Sequence, residues 1–346
     1  MSKKLFDVVV GNPPYQEDND NSVRKSPVYN SFMEEAYKIA DTVELITPAR
    51  FLFNAGQTPK AWNEKMLNDE HFKILHYEKD ATAVFSNTDI KGGVAISLRD
   101  AKKEFGKISV FTPYDELNSI YHKVRRIVGN DNFMDSIVSM RGMYRLNDSF
   151  FRAFPDASSR VGSGTGNMIV SNIFVKIPEA FVRQAPNDGH EYMRILGRMN
   201  NSREYRYIRK EYVIENEYID KYKLFFPEAN SSGQFGETLT APEIGVPGEG
   251  ATDTFINIGL FDTEFEARSL KKYIKTKFMR ALLGIRKATQ HTPRSVWDCI
   301  PLQDFSPSSD INWSAPIKAI DQQLYKKYGL SDEEVSFIET HVKEMA

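Results

Sequence analysis

The residues best suited to chemistry in this sequence are Asn12, Pro13, Pro14 and Tyr15, which directly follow the run Leu5-Phe6-Asp7-Val8-Val9-Val10-Gly11. Asn12 offers a side-chain carbonyl, and Pro13, which has no N–H, still offers a main-chain carbonyl whose direction is restrained by the neighbouring rings. Two acceptors placed in this way can hold both hydrogens of an exocyclic amine. They draw its nitrogen toward tetrahedral geometry and free the lone pair for attack on an electrophilic methyl group. Tyr15 can stack on the ring that carries the amine. The bland alternative is a proline-stiffened loop after a strand.

Such a group must be held at the end of an element. The β-branched run Val8 to Val10 predicts a buried strand that delivers Asn12 to the carboxyl edge of a sheet, where open α/β sheets bind their ligands. Gln16 to Pro27 is polar and turn-rich, the composition of a mobile loop beside a site. Tyr29, Phe32, Met33, Ala36, Tyr37 and Ala40 recur at helical spacing, and Val43 to Thr47 predicts a strand ending at Pro48. Thr58 and Pro59 read as N-cap and first helical position of a helix carrying Trp62, Met66 and Leu67. Strands are expected at Phe72 to Tyr77, Val94 to Leu98 and Lys107 to Phe111. This alternation is the rhythm of a wound α/β sheet.

Composition bounds the class. A chain of 346 residues with 41% hydrophobic content can bury a sizeable core and is expected to form two domains. Its single cysteine, Cys299, excludes a disulfide framework and fits a reducing compartment. No apolar stretch approaches the ~20 residues needed to span a bilayer, so the expectation is a soluble, unexported, cytoplasmic protein without a membrane partner. The net charge of −2 conceals an uneven distribution. Residues 265–297 carry nine Lys/Arg against one acid, and residues 298–346 carry four against nine, so a basic face is expected on a nearly neutral molecule. The six histidines are scattered without metal-ligand spacing, and no paired-acid nuclease constellation stands out. Neither a metal nor an endonuclease is expected.

The tetrapeptide and its preceding strand resemble the amino-methylating DNA methyltransferases, and the Asn-Pro-Pro-Tyr form resembles the adenine-N6 branch found in restriction–modification systems. The order of later segments deepens the resemblance: Thr42 to Leu52 is similar to the proline-containing strand that follows the catalytic one. Phe85, within Ala83 to Ile96, matches the phenylalanine near a flipped adenine. The resemblance implies S-adenosylmethionine as donor, double-stranded DNA as substrate and an incomplete Rossmann-like methyltransferase sheet over residues 1–115. Such enzymes hold the cofactor on a glycine-rich turn that usually precedes the catalytic strand, whereas only four residues precede it here. Gly162-Ser163-Gly164-Thr165-Gly166 follows no strand and does not suit the role. No cofactor-binding residue is therefore assigned beyond the Asn12 edge. A partner chain carrying the cofactor half, or a homodimer, is expected to cover the Val8 to Val10 edge, and the chain alone is expected to be inactive.

Residues 116–346 are expected to form a mixed α/β domain. A helix is predicted over Tyr114 to Val128, and strands over Met168 to Ile177, Tyr192 to Arg198, Arg203 to Ile208, Lys221 to Phe226 and Thr254 to Ile258. Asn200-Asn201-Ser202 predicts a hairpin turn. One long helix, opened by a Thr263–Glu266 capping box, continues to Leu282. Two more helices follow, over Pro316 to Tyr328 and Ser331 to Lys343, the second with a Ser331–Glu334 box. The segment Thr254 to Phe278 resembles the target-recognition domain of restriction–modification enzymes. Lys271, Lys275, Lys277, Arg286, Lys287 and Arg294 are the candidate DNA contacts there, with Arg203 and Arg206 on a strand. Two other readings stay open: a DNA-binding specificity protein with a vestigial motif, and an RNA or protein-amide methyltransferase subunit.

Overall fold

Phe6-Asp7-Val8-Val9-Val10-Gly11 forms the first strand, β1 (Phe6–Gly11), and Val28 to Ile39 carries the next element, α1 (Tyr29–Ile39), in a computed structural model of the protein. The structure describes residues 4–16, 26–54, 57–85, 90, 92–129, 131–161, 166–287 and 289–345. The chain divides into two units, Met1–Asn118 and Ser119–Ala346. Most of the loop expected at Gln16 to Pro27, residues 162–165 of the glycine-rich stretch and residues 86–89 and 91 lie outside the described residues.

In unit 1, α1 leads into β2 (Ala40–Pro48), which is followed by α2 (Lys60–Asn68), β3 (Phe72–Glu78) and β4 (Val94–Asp100). The sheet order is β1-β2-β4-β3. β1 and β2 are parallel, whereas β4 runs antiparallel to both β2 and β3. The carboxyl ends of β1, β2 and β3 therefore share one edge of a mixed sheet. Side chains alternate across it: Val9, Val43, Leu45 and Phe72 join Met33, Phe51, Trp62 and Met66 in one apolar cluster. Trp62 adds a hydrogen bond from its Nε1 to Glu34 on α1 (3.1 Å).

Two expectations fail in this unit. β1 is not buried: Val8 is 54% and Val10 71% exposed, because β1 is the edge strand and its even-numbered side chains lie on the face opposite Val9. Lys107 to Phe111 is not a strand. Ser109 sits at φ 58°, its N–H donates to Leu67 O (2.8 Å), and Ile108, Val110 and Phe111 are buried as an irregular cover.

Unit 2 includes most of α3 (Asp115–Val128), then α4 (Asp148–Ala153), α5 (Ala157–Val161) and α6 (Ile173–Lys176). Next come β5 (Tyr192–Met199), β6 (Ser202–Arg209), β7 (Tyr222–Pro227), β8 (Glu243–Gly245), β9 (Glu249–Ala251) and β10 (Phe255–Phe261). The last four helices are α7 (Glu264–Lys275), α8 (Lys277–Leu283), α9 (Ile317–Lys327) and α10 (Asp332–His341). The strands build two three-stranded sheets, β10-β7-β8 and β6-β5-β9, the latter with a parallel β5–β9 pair.

The hairpin at Asn200 and Asn201 and the capping boxes Thr263–Glu266 and Ser331–Glu334 are all present. Met168 to Ile177 is a correction. Only Met168 pairs, with Arg145, and the segment then turns into α6, because Ile169, Ile173, Phe174 and Ile177 fill the core at helical rather than alternating spacing. The long helix is also broken. Thr276 takes an extended backbone, donates its hydroxyl to Tyr273 O (2.6 Å) and accepts from the Met279 N–H (3.2 Å). The Asp321 carboxylate accepts from the N–H groups of Lys277 (3.1 Å) and Phe278 (2.9 Å), so it caps a second helix rather than prolonging the first. Burial lifts the Asp321 carboxyl to about 6.

Candidate active site

Strand direction brings three loops to one edge of the unit 1 sheet. Asn12 to Tyr15 leaves the end of β1, a single helical turn at Arg50–Phe53 leaves β2, and a turn at Ala81–Ala83 followed by Phe85 leaves β3. Asn12 and Pro14 are exposed, Pro13 and Tyr15 partly buried. Among the described residues no hydrogen bond engages the Asn12 amide, so its carbonyl is available to an incoming donor. The backbone holds the motif in place: Val28 N–H donates to Tyr15 O (3.2 Å), and Gln16 bridges Pro27 beside it.

The rings of Tyr15 and Phe85 meet edge to face, with centroids 6.3 Å apart and planes at 71°. Two segments far apart in the sequence thus form one aromatic corner next to Asn12. Phe85 is set by its N–H bond to Ala81 O (2.8 Å) and by Asp80, whose carboxylate accepts from the Thr82 N–H (3.0 Å). The Tyr15 hydroxyl is buried without a hydrogen-bond partner among the described residues, and burial pushes its phenol up to about 12. It is a neutral donor at any physiological pH.

Two further groups border this edge without having been singled out from the sequence. Gly92, at φ 91°, lets Arg50 cross it: a Cβ there would stand 2.5 Å from the arginine Cγ. Phe53, Tyr77 and Phe111 pack edge to face, with centroids 5.5–5.6 Å apart. No local sequence signal marks either group, because both depend on segments converging from distant positions.

The candidate cations of unit 2 separate into two kinds. Lys277 pairs with Glu339 (2.6 Å), Arg286 forks onto Asp298 (3.0 and 3.1 Å), and buried Lys287 pairs with Glu237 (2.9 Å). Buried Arg206 pairs with Glu204 (2.6 Å). Each of the four is thus neutralised by a carboxylate: Lys287 and Arg206 are buried, Lys277 is partly buried and Arg286 stays exposed, and Glu204 belongs to the same strand as Arg206. Although burial opposes it, hydrogen bonds from Lys287, Ser232 and Gly233 hold the Glu237 carboxyl down to about 2. Arg294 is exposed, whereas Arg203 is tied to Glu243 and donates to Ala241 O (2.7 Å). Burial lowers the Lys271 pKa, and Lys275, Arg203 and Arg268 lower it further against the pull of Glu243. Of the candidate cations, Lys271, Lys275 and exposed Arg294 have no carboxylate partner among the described residues.

Residues 1–85 match the Eco57I restriction-modification methylase family. The matched residues include the Asn12 to Tyr15 motif, Arg50 and Phe85. A search of curated proteins gave no match. Among solved structures, the type IIG restriction endonuclease BpuSI aligns over 92% of this chain and 48% of its own, at 10% identity and a TM-score of 0.32. This chain thus spans about half the length of that protein.

The matched family, a methylase family, implies S-adenosylmethionine, which needs a seat for a nucleoside and a methionine. The open side of β1 offers exposed Leu5, Phe6, Val8 and Val10, and no glycine-rich strand-to-helix turn adjoins it among the described residues. These residues do not form that seat. Among the described residues no group of three or more His, Cys, Asp or Glu is placed to hold a metal, and no helix is long and apolar enough to cross a membrane.

Proposed function

We propose that this chain supplies catalysis and target recognition to a DNA adenine-N6 methyltransferase of a restriction–modification system, a cytoplasmic enzyme whose cofactor half lies elsewhere or on a partner chain. The observation that carries this reading is the Tyr15–Phe85 edge-to-face contact at the carboxyl edge of the sheet, where the chain leaves β1 through Asn12. The Asn12 side-chain carbonyl and the Pro13 main-chain carbonyl accept the two N6 hydrogens of a flipped adenine and draw its nitrogen toward tetrahedral geometry, which raises its donor strength. Tyr15 stacks on the base and Phe85 closes the pocket from a second side.

The exposed apolar edge of β1 supports the need for a second component. A strand with Val8 and Val10 open to solvent is a surface that proteins ordinarily pair or cover. In this reading the cofactor half, or a second copy of the chain, covers it. Lys271, Lys275, Arg203 and Arg294 hold DNA phosphates.

The test is chemical. The chain is combined with a partner carrying the cofactor half, S-adenosylmethionine labelled in its methyl group and duplex DNA, and the methylated nucleoside is identified by mass spectrometry. The reading expects N6-methyladenine. Label recovered in cytosine, in RNA alone or in a protein amide would overturn it.

A further inference from the structure

β5 and β6 form a hairpin whose register runs from Tyr192–Arg209 to Met199–Ser202, leaving Asn200 and Asn201 as its two-residue tip. Both have positive φ, 49° and 63°, the conformation of a type I′ turn. Asparagine, like glycine, is favoured at such positions, and here it also sets two exposed amide side chains at the tip. Beside the tip, Arg198 and Arg203 are direct cross-strand partners, so the two side chains leave the same face of the ribbon. Like charges directly opposite are unfavourable in a sheet. Arg203 is balanced by Glu243, but exposed Arg198 has no carboxylate partner among the described residues and donates to the Asn201 amide oxygen at 3.5 Å.

α7 adds to this charge. Arg268, Lys271 and Lys275 recur at helical spacing, and α7 packs on β8, which begins with the Glu243 that Arg203 binds. Arg203 and Arg268 both act on Lys271, and Arg268 is balanced by Glu264. Among the described residues Arg198 beside the tip, and Lys271 and Lys275 on α7, are left without a carboxylate, and the Arg203–Glu243 pair ties the hairpin to β8, on which α7 packs.

We propose that the β5–β6 hairpin is the element of unit 2 that reads DNA, with Asn200 and Asn201 reaching base edges in a major groove and Arg198, Lys271 and Lys275 holding the flanking phosphates. This rests on the reading that the chain acts on duplex DNA. A two-stranded ribbon fits the major groove, and an Asn amide can pair with both N6 and N7 of adenine there. The phosphates supply the charge that the three unpaired cations lack.

The experiment titrates the full chain with a pool of randomised duplexes of about 30 base pairs at roughly 50 to 200 mM salt, by fluorescence anisotropy, and sequences the bound fraction. Asn200→Gly with Asn201→Gly preserves the turn, because glycine favours these φ values. Its affinity for the unselected pool should stay within about twofold, while enrichment at the base positions selected by the parent falls about tenfold or more. Arg198→Ala with Lys271→Ala should weaken binding to all sequences alike and flatten the salt dependence by about 0.9 in log–log slope for each phosphate that is no longer neutralised. The hairpin assignment is overturned if the glycine pair enriches the same bases as the parent, or if the alanine pair leaves the slope unchanged. A parent chain that binds no duplex at all sinks the DNA reading itself, and this inference with it.

Discussion

Lys223 lies in the middle strand of the β10-β7-β8 sheet and is completely buried. Its Nζ donates to Val246 O (2.8 Å) and Ile219 O (3.3 Å). Gly245 makes room for it, since a Cβ there would come within 3.0 Å of the lysine Cε. Burial lowers its pKa from 10.5 to about 7, against the attraction of Glu249 and Asp220. Because the folded-state value lies below the unfolded one, the unfolded chain binds the extra proton between pH 7 and 10.5 and stability rises with pH across that window. A tenfold fall in proton activity is worth about 1.4 kcal/mol for each proton that only the unfolded chain holds, so the gain from about pH 7 to about pH 9 comes to roughly 2 kcal/mol. Urea unfolding of the parent and of Lys223→Met at both pH values measures it. The parent should gain about 2 kcal/mol more than the variant. Equal increments in the two proteins would refute the argument.

The Lys287–Glu237 pair gives a response of the same sign at acid pH. Glu237 is held down to about 2, so its stabilisation is present above its ordinary value and is lost as pH falls from about 4.5 toward 2; acid titration of the unfolding midpoint should show that loss, and Lys287→Met should make it smaller, the Ser232 and Gly233 hydrogen bonds sustaining the rest. Lys277→Ala should cost roughly 1–2 kcal/mol of stability by freeing half-buried Glu339, yet leave the salt slope of DNA binding at its parental value, as anisotropy titrations would show. Gly93→Ala would place a Cβ 2.2 Å from Glu78 O at φ 76°. It should lower the unfolding midpoint measured by calorimetry by the equivalent of about 2–4 kcal/mol, because neither the backbone conformation nor the strand behind it can yield.

Local signals in the sequence identified much of this architecture. The capping boxes at Thr263 and Ser331, the Asn200–Asn201 turn and the two strands it joins each depend on residues within a few positions of one another, and all are found where their chemistry puts them. Met168 to Ile177 was harder to read, because a short apolar run satisfies both strand and helix spacing until the core it fills is known. The break at Thr276 depends on Asp321, far along the chain, and nothing near Thr276 announces it. The same holds for charge. Lys277, Arg286 and Lys287 look like a basic face until Glu339, Asp298 and Glu237 return to neutralise them. At the candidate site, Asn12 to Tyr15 was legible as a motif, while the packing of Arg50 over Gly92 comes only from loops converging at the sheet edge.

The central claim is that Asn12 activates an exocyclic amine. In the chain combined with its cofactor half, single-turnover methyl transfer to duplex DNA by Asn12→Ala should be slower by about a hundredfold or more, the cost of removing one acceptor that acts in the transition state, while duplex affinity measured in parallel stays close to parental. Transfer at the parental rate would contradict the assignment.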